Sequence, residues 1–194
     1  MKGYGDSYFD EVCEGLKKTI ITDGTSTLEM DVGLEKLALA AKNTQDKNGL
    51  IFFCGNGASC TMAEHLSHDW FQNGKVNTTT CSETSHITAI SNDLSYEDVF
   101  SYRIDRILSE KDILFTISSS GNSPNVLKAI KAAKNKGAFV ITFSGLKNDN
   151  KSRAMGDLNF YVPLGTYGTV ESAHSVLLHL ALDYFMDRYL GGRH

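Results

Sequence analysis

The chain has little of what marks most non-globular classes. Only two of its 194 residues are proline, and it carries no low-complexity tract. That excludes a proline-rich linker or a disordered solvating segment as its main content. No apolar run approaches the roughly 18–20 residues a membrane span needs. Residues 1–16, MKGYGDSYFDEVCEGL, lack the apolar centre of a secretory signal. Both absences predict a cytoplasmic protein with no membrane partner. The four cysteines (Cys13, Cys54, Cys60, Cys81) include no C-x-x-C pair, so free and mostly buried thiols in a reducing compartment are expected. There is no basic excess either. The net charge is −4, which removes the electrostatic footprint of a nucleic-acid partner. Lys128, Lys131, Lys134 and Lys136 fall at helical spacing and read as a solvated face. Neither G-x-x-x-x-G-K-[ST] nor a helix-opening G-x-G-x-x-G occurs, so no nucleotide cofactor is expected.

What is present fits one globular domain, residues 1–194, with 41% apolar and 22% charged residues. Apolar positions at Tyr8, Val12, Leu16 and Ile20 predict a helix over 7–21. Leu28, Met30, Leu34, Leu37, Leu39 and Ala40 predict a second over 27–46. Together, residues 1–46 read as an N-terminal helical hairpin available for packing on another subunit, ahead of an α/β core at 47–194. Short apolar runs at 50–54, 113–117, 138–143 and 158–164 read as buried parallel strands. Weaker strand candidates lie at 76–81 and 87–91. Helical patterns fill 59–72, 97–109, 124–136 and 169–190, the last with Val170, Ala173, Val176, Leu177, Leu180, Ala181, Tyr184 and Phe185 inward. Strand and helix alternate, so the class is α/β with a mainly parallel sheet.

The stretch ILFTISSSGNSPNV (113–126) carries the clearest chemistry. It puts Ser118, Ser119, Ser120 and Ser123 between a strand end and a helix start, where ligands of open parallel sheets bind. Unpaired N–H groups and the dipole of a helix N-terminus attract anions, hydroxyls add donors, and Gly121 permits close approach. Ser123 with Pro124 suffices for an ordinary capped turn. The surplus of Ser118 and Ser120 points to a phosphate monoester. CGNGASCTMAEH (54–65) supplies a second ligand-facing turn, with Gly55 and Gly57 for the bend and Ser59 as N-cap. His65 and Asp69 lie four apart on the next helix and share a face, as a divalent-metal or acid/base pair would. An exposed polar face is the bland alternative. In the last helix Glu171 and His174 are three apart, whereas Glu171 and His179 are about 12 Å apart along a straight helix. Either histidine also fits a buried, hydrogen-bonded core position.

CGNGAS, SNDLSYEDVF, ISSSGNSPNVLKAI and the Glu/His pattern of the last helix, taken together, resemble the phosphoheptose isomerases of the sugar isomerase (SIS) superfamily over nearly the whole chain. The resemblance implies a flavodoxin-like three-layer fold and a homotetramer with active sites at subunit interfaces. It implies conversion of sedoheptulose 7-phosphate to D-glycero-D-manno-heptose 7-phosphate through a cis-enediol, the first step toward nucleotide-activated heptose for lipopolysaccharide or capsule. It implies one zinc ion per subunit. On this match Ser118, Ser120 and Ser123 would hold the phosphate, Ser59 would face the same ligand, Asn56 and Asp93 would contact sugar hydroxyls, and Gly57 and Ser119 would also be substrate-binding. His65, Asp69, Glu171 and His179 would be metal ligands, Glu171 also touching substrate. Asp69 and His179 would be the catalytic pair. The family pattern favours His179 over His174. This chain has Asp69 where relatives usually have glutamate, Glu171 in place of glutamine, Gly168 in place of a sugar-contacting aspartate, and Met62 in place of an acid. Rival readings are an isomerase of the same superfamily for another sugar phosphate, a non-catalytic scaffold such as the relative that binds the replication initiator, and a sugar-phosphate sensor.

Overall fold

The computed structural model describes residues 2–24 and 26–192. Seven strands form one sheet in the order β2-β1-β7-β6-β5-β3-β4. The parallel part comprises β3 (Leu50–Gly55), β4 (Asn77–Thr79), β5 (Ile113–Ser118), β6 (Phe139–Ser144) and β7 (Leu158–Tyr161). Every residue of β5, and all but the first of β3 and β6, is buried. That is why these segments read as continuous apolar runs: helices cover both faces of a parallel sheet.

The two-residue period of the strands sorts side chains into two cores. Ile51, Phe53, Ile113, Phe115, Ile117, Ile141, Phe143, Leu158 and Phe160 face one side. There they meet α2 (Met30–Asp46), α3 (Ala58–Gln72) and α7 (Tyr167–Tyr189), with α1 (Tyr4–Lys17) packed outside. Phe52, Cys54, Leu114 and Val140 face the other, against α4 (Thr84–Asp93), α5 (Ser101–Ile107) and α6 (Pro124–Asn135). The result is the expected three-layer α/β architecture. An aromatic row crosses the first core, with centroids 4.9 Å apart for Phe53–Phe115, 6.0 Å for Phe115–Phe143 and 4.8 Å for Phe143–Phe160. Each such pair adds about 0.5–1.5 kcal/mol beyond its buried area. Trp70, the only tryptophan, closes the row between Phe115 and Phe185.

Strand order reverses between β3 and β5. After β3 the chain crosses to β4 on one side, and after β5 to β6 on the other. Ligands of open α/β sheets bind beyond the strand ends at such a switch point.

The N-terminal region departs from the expected helical hairpin. Ile20 and Leu28, expected in helices, lie in short strands β1 (Ile20–Thr22) and β2 (Thr27–Leu28). β1 pairs antiparallel with β7 and extends the sheet. Helix α1 ends at Lys17, and the Asp23-Gly24 turn, with Gly24 at φ +84°, reverses the chain. Asp-Gly between β-branched residues is a hairpin signal that helical periodicity overrides only on paper. Helices α1 and α2 both pack against α7. The segment 87–91, ITAIS, expected as a weak strand, lies within α4, with only Ile90 of the helix buried. β-propensity without sheet neighbours is a weak constraint. In α7, Val176 and Leu180 were expected inward but are exposed, while Leu177, Leu178, Ala181 and Leu182 face the core. Cys54 and Cys81 are buried, Cys60 is half-buried and Cys13 exposed; all four are free. Among the described residues, no helix is long and apolar enough to cross a membrane.

Candidate active site

A cleft of about 280 Å³ opens at the switch point. Asn56, Gly57 and Ser59 line it from the β3 side, Ser118, Ser119, Ser120 and Ser123 from the β5 side, and Tyr167 and Glu171 from α7. Both serine-bearing loops sit where a parallel strand ends and a helix begins, as the sequence predicts.

The backbone there leaves little choice of residue. Gly57 has φ +57° and takes the N-cap position of α3. A Cβ on Gly55 would stand 2.7 Å from Ser59 and 2.8 Å from the Ile117 carbonyl, so glycine is what lets the two loops touch. Gly121 has φ +60°, and a Cβ on it would fall 2.0 Å from Asn150 Oδ1. The serine loop is tied down behind the cleft: Ser152 N–H donates to the Gly121 carbonyl at 2.9 Å and Gly145 N–H to the Ser119 carbonyl at 3.0 Å.

Two capping expectations need correction. Ser59 is not an N-cap: Gly57 holds that place, and Ser59 is buried in the first turn of α3. Ser123 does occupy the N-cap position of α6, but its side chain caps nothing. Its hydroxyl turns to Ser118 Oγ, 3.5 Å away. Ser119 Oγ is buried with no hydrogen-bond partner among the described residues. A buried donor without a partner is costly, and a ligand oxygen in the cleft would relieve that cost. Among the described residues no lysine or arginine lines the cleft, and Glu171 is the one charged side chain that does. An anion bound there is held by N–H and O–H donors.

A second group forms where α3 meets α7. His65 Nε2 is 3.2 Å from Asp69 Oδ2. His179 Nε2 is 3.3 Å from His65 Nε2 and 3.9 Å from Asp69 Oδ2. The His179 Nδ1 lies 2.7 Å from the Ser175 carbonyl. A carbonyl only accepts, so Nδ1 carries a proton, and in the neutral tautomer Nε2 is the bare nitrogen that faces the other two side chains. One ligand atom from each of His65, Asp69 and His179 falls within 4.8 Å of the others. Two imidazole nitrogens and a carboxylate oxygen, with the ring of one imidazole fixed by an outer hydrogen bond, fit a borderline divalent cation such as zinc.

Glu171 does not join this group. It lies two helical turns before His179 and lines the serine cleft instead. His174 is fully buried in the core, its Nε2 donating to the Ser144 carbonyl at 3.1 Å. Burial pushes its pKa down to about 4. Of the two histidines that the sequence left open, His179 therefore lies beside His65 and Asp69. Asp93 ends α4, exposed and paired with the Asn92 amide, outside the residues that line the cleft. Gly168 is exposed, with the Tyr8 hydroxyl 3.5 Å from where a Cβ would stand. Met62 packs against the core. The sequence reading missed Tyr167, Tyr96 and Asn125. The last two sit inside motifs noted for other residues and carry no periodicity or spacing signal of their own.

Comparison with known proteins agrees with this geometry. The SIS domain family model matches residues 8–145. A phosphoheptose isomerase of Proteus mirabilis is 34% identical over 164 residues, 80% of this chain and 85% of that protein. One of Helicobacter pylori is 32% identical over 146 residues, 72% and 76% of the two chains. The solved structure of the Neisseria gonorrhoeae phosphoheptose isomerase superposes with a TM-score of 0.80 at 27% identity, covering 93% of this chain and 97% of that one. The chain belongs to the SIS domain family and, within it, groups with the phosphoheptose isomerases.

Proposed function

We propose that this protein is a ketose–aldose isomerase that converts sedoheptulose 7-phosphate to D-glycero-D-manno-heptose 7-phosphate, an early step toward an activated heptose. The observation that carries the reading is that α3 and α7 each contribute both to the lining of the serine cleft, through Ser59, Tyr167 and Glu171, and to the His65/Asp69/His179 group. One holds an anion by hydroxyl and amide donors; the other holds titratable groups a few ångströms apart. The 34% identity to a phosphoheptose isomerase supports the choice of sugar.

In this reading Ser118, Ser119, Ser120, Ser123 and Ser59 bind the phosphate, with Gly57 and Gly121 giving backbone access. Asn56 and Glu171 face the sugar chain. Asp69 takes a proton from C1 of the ketose while an acid protonates O2, giving the cis-enediol. O1–H then loses its proton as C2 gains one, so one proton has moved from carbon to carbon and one from oxygen to oxygen. His179 serves the oxygens. Its Nδ1 proton is committed to Ser175, so only Nε2 exchanges protons with substrate. His65, Asp69 and His179 would also be the residues to hold a zinc ion, one per subunit; an Nε2 or carboxylate oxygen bound to the cation does not exchange protons, so the ligand role and the acid/base role exclude one another at any one atom. When bound, such a cation polarises substrate oxygens and fixes geometry.

A homotetramer with interfacial sites belongs to the same reading. Exposed Val176 and Leu180 flank His179, apolar surface that a second copy would cover. A cytoplasmic location follows from the phosphorylated substrate and is supported by four free cysteines. Incubating the protein with sedoheptulose 7-phosphate and following the aldose by NMR tests the activity. Appearance of the aldose supports it. Its absence, with a panel of other ketose phosphates turned over instead, reassigns the substrate.

A further inference from the structure

Three side chains from three segments meet beside the cleft. Asn56 Nδ2 donates to Asn125 Oδ1 at 2.9 Å, and Asn125 Nδ2 donates back to Asn56 Oδ1 at 2.9 Å. The Tyr96 hydroxyl donates to the same Asn56 Oδ1, also at 2.9 Å. A reciprocal amide pair alone is ambiguous, since turning both amides over preserves it. Here the direction is fixed from outside. The backbone N–H of Val126, which can only donate, meets Asn125 Oδ1 at 3.0 Å. That sets Asn125, Asn125 sets Asn56, and Asn56 Oδ1 then requires Tyr96 to be the donor.

The count at Asn56 follows. An amide offers two acceptor lone pairs and two N–H donors. Both lone pairs of Asn56 are taken, by Tyr96 and Asn125, and one N–H is taken by Asn125. One N–H remains, on a residue that lines the cleft. Tyr96 is itself anchored. It begins the one-turn 3-10 helix Tyr96–Asp98, whose Asp98 accepts from Ser95 Oγ at 2.6 Å and from Lys128 Nζ at 3.1 Å. Lys128 lies on α6, the helix that carries Asn125. Helix α6 therefore carries one partner of the Asn56 oxygen, Asn125, and through the Lys128–Asp98 ion pair is tied to the turn that carries the other, Tyr96.

We propose that Tyr96 is a positioning residue for the reaction: with Asn125 it locks the Asn56 amide so that a single N–H, and no acceptor, meets an oxygen of the sugar. Tyr96 acts through Asn56 and does not touch the reacting carbons. Without its hydroxyl one Asn56 lone pair is freed, and the amide is held by Asn125 alone. This inference rests on the isomerase reading above.

A double-mutant cycle on the full-length protein tests it, with kcat and KM for sedoheptulose 7-phosphate measured on the wild type, Tyr96→Phe, Asn56→Ala and the double variant. The ring of Tyr96 is half-exposed, so removing its hydroxyl leaves the fold intact, checked by an unchanged melting temperature. The expected result is a loss of about 3- to 10-fold in kcat/KM for Tyr96→Phe, the size of one neutral hydrogen bond, and no further loss on adding it to Asn56→Ala. An equal loss in both backgrounds would show that Tyr96 acts independently of Asn56 and would overturn the proposal. So would full activity of Tyr96→Phe. A wild type that turns over no sugar phosphate would overturn the isomerase reading itself, an outcome distinct from turnover with an additive cycle.

Discussion

The chemistry of the site comes down to where single protons sit. In the proposed mechanism the Ser175 carbonyl holds a proton on His179 Nδ1 and leaves Nε2 as the atom that meets substrate. Gln at 179 keeps a polar side chain but cannot exchange a proton near neutral pH. His179→Gln is expected to lose about 100- to 10,000-fold in kcat, the usual worth of a general acid or base, with an unchanged circular-dichroism spectrum; retained turnover would remove His179 from the mechanism. Gly121 acts on shape instead. With φ at +60° and Asn150 Oδ1 standing 2.0 Å from a would-be Cβ, Gly121→Ala is expected to cost at least about 2 kcal/mol from backbone strain and the clash, read as a lower urea midpoint. His174 carries a pH signature. Burial lowers its pKa from 6.5 to about 4, so between those values the unfolded chain binds the extra proton. Its contribution to stability is therefore complete above about pH 6.5 and fades as pH falls toward 4. Unfolding free energies measured at pH 7 and pH 5 should fall more steeply in the wild type than in His174→Gln.

At the scale of elements, strand ends place the serines and helix faces place the titratable groups. Positions 65 and 69 share a face of α3 because they are four apart. Position 179 reaches them because α3 and α7 pack side by side on one face of the sheet. The start of β5 is tied to its neighbours by one buried carboxylate: Asp112 accepts from the Leu50 N–H at 2.8 Å, and from Ser109 N–H at 2.7 Å and Ser109 Oγ at 2.8 Å. Asp112→Ala leaves two backbone donors without that partner and is expected to cost about 2–5 kcal/mol, measured by chemical denaturation. The parallel strands and the serine loop were readable in the sequence because continuous apolar burial and a surplus of hydroxyls each leave a local mark. β1 and β2 were not, because two- and three-residue strands carry too few side chains to show alternation. The placement of Glu171 in the cleft was implied by the family resemblance, as a substrate contact, and not by helix spacing. It depends on where α7 starts relative to the β5 loop, a tertiary fact. Tyr96 and Asn125 do their work only in contact with Asn56, 40 and 69 residues away in the chain.

For the whole molecule, the sheet order sets the site. The switch point brings the β3 and β5 loops together, and α7 lays Glu171 over the serine cleft and His179 beside His65 and Asp69. Family membership and this architecture lead to one activity. The cation has its own readout. Zinc titrated into chelator-treated protein should bind by calorimetry, and His65→Ala should weaken it about 100-fold or more, since even the loss of an outer-shell partner costs 10- to 100-fold. Unchanged zinc affinity in that variant would move the cation elsewhere. The most direct measurement is the NMR time course of sedoheptulose 7-phosphate with the wild-type protein and with His179→Gln. The account predicts that the aldose 7-phosphate accumulates with the wild type and forms at least about 100 times more slowly with the variant. A folded wild type that binds the sugar phosphate and yields no aldose would contradict it.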